Sequence, residues 1–283
     1  MTEPMSETYE SQRVTLHYNI WGDGSKPPMM LIHGGQDHSR NWDFVAERLA
    51  DRYTIYAPDL RGHGDSGWAI GGMYSIPEFT LDVANLADRI EGPLTVIGHS
   101  LGGAIALQYA GTIPERVDKL ISIEGWGPPE MPHVLAHRRM REWIEHMNDV
   151  ERRQPRRYPS LEEATNRMME ANPHLKPEMA HHLTEHGANR NEDGTYSWKF
   201  DNYVRIRSPY VFNIEDAMII WSQIACPTLL IKGAESWAVD PDKTGRADVI
   251  KGHETVVIEK AGHWVHHDQL DVFMSHVERF LAS

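Results

Sequence analysis

Cysteine is almost absent from this chain. Cys226 is the single one in 283 residues, which excludes an internal disulfide, and its setting before an apolar run (Ala225-Cys226-Pro227) reads as structural. Positive charge is also scarce: 28 Lys and Arg against 41 Asp and Glu give a formal charge of −13. That balance disfavours loose binding to nucleic acid or to an anionic membrane. No apolar run is long enough to span a bilayer. The opening MTEPMSETYE is polar and acidic, without the features of a signal peptide, so the expectation is a cytoplasmic protein with no membrane insertion. Internal repeats and low-complexity tracts are missing as well.

What is present centres on Gly98-His99-Ser100-Leu101-Gly102-Gly103, a G-x-S-x-G. An apolar strand candidate, Leu94 to Ile97, precedes it and a helix-like run, Ala104 to Ala110, follows. A serine between strand and helix must turn the chain sharply, and glycines two residues away on either side keep a Cβ from colliding in so tight a turn. Such a turn pushes the hydroxyl beyond the carboxyl end of a sheet, beside the positive end of a helix.

Around this unit, strand and helix patterns alternate. Residues 13–21, 29–32, 53–57, 94–97 and 117–123 read as strands, and Asn41 to Leu49 as a helix with Trp42, Val45 and Leu49 on one face. The alternation implies a parallel sheet with helices on both faces. Gly62 to Gly67 matches G-x-G-x-x-G, but Trp68 to Met73 holds Gly71 and Gly72 and reads as loop. The next helix begins only at the capping box Ser75-Ile76-Pro77-Glu78, so the glycines lack the helix that a dinucleotide site needs. From Trp126 to Trp221 there are helical patches (134–149 and 161–171) and no convincing buried strand. Strand patterns resume at 227–232 and 254–259, and a last helix spans 268–281. A helical insertion of roughly 95 residues therefore interrupts the core, a length that suits a lid better than a loop. The expected division is core 1–125, helical lid 126–222 and core 223–283.

A serine hydroxyl needs a base to take its proton and an acid to orient that base. His263, in Ala261-Gly262-His263-Trp264 just after the last strand candidate, falls at the same carboxyl edge as Ser100. With these residues in view, the chain resembles the α/β-hydrolase family. The likeness runs through His33-Gly34, Asp59-Leu60-Arg61-Gly62-His63-Gly64-Asp65-Ser66, the Ser100 motif and Gly262-His263. It implies a mostly parallel sheet flanked by helices, with a helical lid inserted after the sixth strand. It also implies an oxyanion hole from the backbone N–H groups of Gly35 and Leu101, and it makes His33 a scaffold residue. Glu124-Gly125-Trp126-Gly127-Pro128 and Tyr158-Pro159-Ser160-Leu161-Glu162-Glu163-Ala164 resemble the subgroup called serine hydrolase-like proteins.

Serine rather than aspartate as nucleophile implies acyl transfer, with a small-molecule carboxylic ester as the expected substrate and no cofactor or metal. Amide, thioester, lactone or C–C hydrolysis could use the same parts, as could a slow-turnover ligand receptor. For the acid, most family members carry G-x-x-D after the penultimate strand, where this chain has Gly233-Ala234-Glu235-Ser236. Asp240 precedes Pro241, a pair suited to capping a helix, and Glu235 lies one residue early. Glu124, at the end of the strand after the nucleophile helix, is the expected acid, with Asp240 as the alternative.

Three other features call for a reading. His182-Leu183-Thr184-Glu185-His186 matches a zinc motif, H-x-x-E-H, with no third ligand marked nearby. Arg138, Arg139, Arg141, Arg152, Arg153, Arg156 and Arg157 read as a solvated helix face, with an anionic substrate group as the alternative. Trp126, with Met131, Met140, Trp143, Met147, Met168 and Met169, is expected to line an apolar pocket under the lid.

Overall fold

The computed structural model describes residues 3–71, 74–127, 134–210 and 212–283. Gly72, Met73, Pro128 and Met131 of the features above lie outside these residues. In chain order the elements begin with β1 (Met5–Ser11), β2 (Val14–Trp21), β3 (Pro28–Ile32), α1 (Asp43–Leu49), β4 (Thr54–Pro58) and α2 (Ile76–Ala87). Next come β5 (Leu94–His99), α3 (Leu101–Thr112) and β6 (Val117–Ile123). The segment after β6 holds α4 (Ala136–Arg152), α5 (Leu161–Ala171), α6 (Pro177–Gly187), β7 (Ala188–Arg190), β8 (Tyr196–Trp198) and α7 (Ile214–Trp221). The chain closes with β9 (Thr228–Gly233), β10 (His253–Ile258), α8 (Val265–Asp268) and α9 (Leu270–Ala282).

Eight strands form one sheet in the order β1-β2-β4-β3-β5-β6-β9-β10. Pairing is parallel from β4 to β10, while β2 runs antiparallel to both of its neighbours. This is the α/β-hydrolase arrangement. The central strands are mostly apolar because both faces are covered, and β5 and β9 are buried along their whole length. The two-residue period divides their side chains between two layers. Met30, Ile32, Val96 and Leu230 pack under α2, α3 and α7, whereas Met29, Leu31, Ile97 and Leu229 pack under α1 and α9.

Two strand regions escape a reading of hydrophobic pattern. β1 is an edge strand in which only Tyr9 and Ser11 are buried, so its polar sequence carries almost no apolar period. The β7–β8 hairpin has three residues per strand, too few for a pattern to emerge. At α2 the capping box is incomplete: the Ser75 hydroxyl donates to the Glu78 carboxylate (2.9 Å) and makes no bond to a helix N–H.

The Gly62–Gly67 segment is a closed loop, with the Gly62 N–H bonded to the Gly67 carbonyl (2.9 Å) and α2 starting only at Ile76. Its centre is the buried Asp59 carboxylate, which accepts from Ser39 N (2.6 Å), Asp65 N (2.9 Å) and His17 Nδ1 (2.7 Å). Burial works to raise this carboxyl, but His17, His33 and the Asp65 N–H outweigh it and hold it below the usual range. The segment after β6 is tied to these loops at the carboxyl edge: Asp201 N donates to Gly62 O (2.8 Å), Lys199 pairs with Asp65 (2.7 Å), and His38 Nε2 meets Leu183 O (2.9 Å). By sequence α7 belongs to that segment, yet it packs on α3 and its Trp221 is wholly buried in the core. No helix among the described residues is long and apolar enough to cross a membrane.

Histidines make up much of the polar interior. His33, His38, His63, His99, His266 and His267 are all buried, and burial holds each below its ordinary value, His38 at about 4 and His63 and His267 at about 3. The unfolded chain binds a proton at each near pH 6.5, while the folded chain refuses it. Stability is therefore complete above about pH 6.5 and is lost as the pH falls toward 4, by up to about 1.4 kcal/mol per pH unit per histidine. Asp37, raised by burial to about 7, acts in the opposite sense, as one carboxyl against six imidazoles. Urea unfolding should accordingly show its midpoint falling steeply between pH 6.5 and 4.5. A flat midpoint over that window would contradict the neutral histidine interior.

Candidate active site

Ser100 occupies a sharp turn between β5 and α3, with φ 53° and ψ −115°. A side chain other than glycine resists such angles, so the surroundings must impose them. The Ser100 N–H donates to Ile123 O at the end of β6 (2.7 Å), pinning the turn to the neighbouring strand. Glycines let the backbones close in: a Cβ on Gly98 would lie 2.3 Å from Gly102 O, and one on Gly102 would lie 2.2 Å from Ile32 O.

His263 Nε2 lies 2.8 Å from Ser100 Oγ, and His263 Nδ1 lies 2.5 Å from Glu124 Oε2. Three residues that are 24 and 139 positions apart in the chain thus form one hydrogen-bonded line across the ends of β5, β6 and β10. Glu124 has φ 54° and a side chain with no exposed surface. Its Oε1 accepts from Gly233 N (2.8 Å), and its Oε2 also accepts from the Ser236 hydroxyl. The other acids lie elsewhere. Asp240 accepts from Asp242 N (3.2 Å) and pairs with Lys243 (3.2 Å), capping a run of turns rather than the helix expected there. Glu235 faces His174 at 3.7 Å.

Gly35 and Leu101 are neighbours, a Cβ on Gly35 lying 3.8 Å from Leu101 Cδ2. Leu101 is the first residue of α3, where a backbone N–H has no acceptor within the helix. His33 is held from both ring nitrogens: Nδ1 donates to Gly34 O (2.6 Å) and Nε2 accepts from Leu60 N (3.0 Å). It is engaged in the scaffold.

Two residues beside His263 had no signal in the sequence beyond their adjacency to motifs. His99 Nε2 donates to the His263 carbonyl (2.9 Å), so the residue before Ser100 also fixes the loop that carries His263. Trp237, 64 % exposed, lays its indole against the His263 ring with centroids 4.6 Å apart. Trp126 holds a different position from the pocket wall expected of it. It is 1 % exposed, donates from Nε1 to Val239 O (2.8 Å) and packs in the core layer with Ala217 and Trp221.

The H-x-x-E-H histidines gain a third donor that the sequence does not mark: Asp43 of α1 lies with His182 and His186 within reach of a shared metal ion. That carboxylate, however, is already gripped by Arg40 Nε through both oxygens (2.9 and 2.8 Å) and by His182 Nε2 (3.1 Å). A guanidinium so close opposes a dication. His17, Asp59 and Asp65 are also close enough together, but Asp59 is filled by the bonds described above. In the arginine cluster, Arg153 pairs with Asp149 (3.6 Å), Arg157 with Asp193 (2.7 Å), and Arg156 lies over Tyr158. Arg138, Arg141 and Arg152 are exposed, as on a solvated face.

A strained serine turn beyond the carboxyl edge of a mostly parallel sheet defines the hydrolase class of this fold. The family model described as alpha/beta hydrolase fold matches residues 27–270, and the chain belongs to that family. A serine hydrolase-like protein of Danio rerio is 27% identical over 222 residues, 76% of this chain and 68% of that protein. Esterase Rv0045c of Mycobacterium tuberculosis is 27% identical over 275 residues, 94% of this chain and 86% of that protein. Among solved structures, a thioesterase domain from the curacin biosynthetic pathway covers 98% of this chain and 100% of its own, with TM-score 0.86 and 24% identity, a likeness of fold.

The packing around the turn is directly testable. Gly102→Ala must push α3 off β3 and should destabilise the protein by about 1–3 kcal/mol or more, as overpacking does. Urea unfolding indistinguishable from the parent would show that the turn tolerates a Cβ.

Proposed function

We propose that this chain is a serine hydrolase that cleaves carboxylic esters of small molecules through an acyl-enzyme. The observation that carries this reading is the line from Ser100 Oγ to His263 Nε2 (2.8 Å) and from His263 Nδ1 to the buried Glu124. His263 takes the Ser100 proton as Oγ attacks the ester carbonyl, and Glu124 stabilises the imidazolium that forms. The N–H groups of Gly35 and Leu101 receive the oxyanion, a donor of this kind being worth about 3 kcal/mol of barrier. The imidazolium returns its proton to the departing alcohol. A water, deprotonated by His263 in turn, then releases the acid and frees Ser100. The names of the relatives, an esterase and a serine hydrolase-like protein, favour this reaction. The thioesterase likeness keeps a thioester as the nearest variant, and lactone or C–C hydrolysis would use the same groups. A slow-turnover receptor would bind an activated ester without releasing product at an enzymatic rate.

In this reading residues 126–222 form a cap over the site, excepting α7, which serves the core. Trp237 takes the substrate-contact role expected of Trp126, because its exposed indole borders His263 while Trp126 is enclosed.

Ser100→Ala should abolish both turnover of an activated ester and labelling by a fluorophosphonate probe, and Glu124→Gln should lower kcat about 10³- to 10⁴-fold. A chelator should leave the parent unaffected. Activity lost on chelation and restored by zinc would overturn the reading. With esters of graded acyl length, Trp237→Ala should shift the preference and leave the melting temperature nearly unchanged, whereas Trp126→Ala should lower the melting temperature. The reverse pattern would return the contact role to Trp126.

A further inference from the structure

Glu124 faces a mechanical problem common to buried carboxylates. Its carboxylate turns about a terminal torsion with a broad, two-fold preference, so burial alone does not decide which oxygen faces His263. The structure supplies a grip on each oxygen. Gly233 N holds Oε1 at 2.8 Å, and the Ser236 hydroxyl bonds Oε2, the same oxygen that meets His263 Nδ1. Ser236 Oγ also accepts from Ala238 N (3.1 Å). A hydroxyl has one proton, and with that N–H occupying its acceptor side, the proton is directed at Glu124.

The turn that carries Ser236 is itself anchored to the loop that carries His263. Glu235 N donates to Ala261 O (2.9 Å), Ala234 N donates to Ile258 O (2.9 Å), and Ser236 N closes onto Gly233 O (3.2 Å). A Cβ on Gly233 would lie 2.1 Å from Gly262 O, so the two segments are in backbone contact. Ser236 therefore moves with His263, and its bond to Glu124 sets the acid in the frame of the base.

We propose that Ser236 is a positioning residue of this site: its hydroxyl locks Glu124 Oε2 toward His263 Nδ1, so that the charge comes from the end of β6 and its orientation from the turn after β9. This rests on the serine-hydrolase reading above. It also means that position 236 lies within side-chain reach of His263 Nδ1, so a carboxylate placed there can take over the acid's task when Glu124 is removed.

Steady-state hydrolysis of an activated ester by the full chain tests this. Ser236→Ala should lower kcat about ten- to a hundredfold, the scale of a lost hydrogen bond to a charged group, with KM unchanged. Ser236→Thr, which keeps the hydroxyl, should recover most of it. Parental kcat in Ser236→Ala, or equal losses in the Ala and Thr variants that follow the melting temperature, would overturn the proposal. Should Ser236→Ala fold poorly, the pair Glu124→Ala and Glu124→Ala/Ser236→Asp gives an independent reading. The double variant should regain roughly a hundredfold of the 10³- to 10⁴-fold loss expected of the single one. A folded double variant with no gain would overturn it. A parent chain that neither turns over esters nor labels at Ser100 would instead overturn the serine-hydrolase reading, which separates the two failures.

Discussion

A carboxylate with no exposed surface holds the ends of three strands together. Removing an ionised carboxyl from water is costly unless bonds to the protein replace those to solvent. Glu124 collects its replacements from Gly233 and Ser236 after β9 and from His263 after β10. These donors come from two turns, one after β9 and one after β10, so neither turn can move without leaving a buried carboxylate short of a partner. The backbone closes the same junction from the other side, with Glu124 N bonded to Ile231 O (3.1 Å).

The geometry at Ser100 follows from similar crowding. Gly98, Gly102 and Gly34 allow β3, β5 and α3 to approach more closely than side chains would permit, and the turn has no room to relax from its positive φ. His99 extends this rigidity to the His263 loop by bonding the His263 carbonyl, while burial keeps its ring neutral. Ser100, His263 and Glu124 are thus tied to one another through backbone as well as side chains. Such double fixing suits a site in which small displacements are expensive.

Much of this was legible in the chain because its signals are local. The strand–serine–helix motif, the apolar runs of β3, β5 and β9, and the position of His263 after the last strand are short-range patterns with steric causes. Glu124 was legible for a weaker reason: an acid directly after an apolar strand has few ways to be satisfied. The elements missed are those without a period. β1 pairs through its backbone and exposes most of its side chains, and the β7–β8 hairpin is too short to show alternation.

By itself, the sequence determined that a serine in a strand–helix turn and a histidine after the last strand stand at the same edge of the sheet, since strand and helix order fixes that edge. Only the tertiary structure set Glu124 and not Asp240 against His263, moved Trp126 into the core, brought Trp237 onto His263, and joined Asp43 to the histidines of α6. The reason is the same in each case. These outcomes depend on how side chains far apart in sequence are satisfied or enclosed, and a residue's own neighbours in the chain carry no record of which partner arrives from elsewhere. Ser236 shows this most sharply: as a sequence letter it marks only a missing aspartate, and as a hydroxyl it bonds to the carboxylate that meets His263.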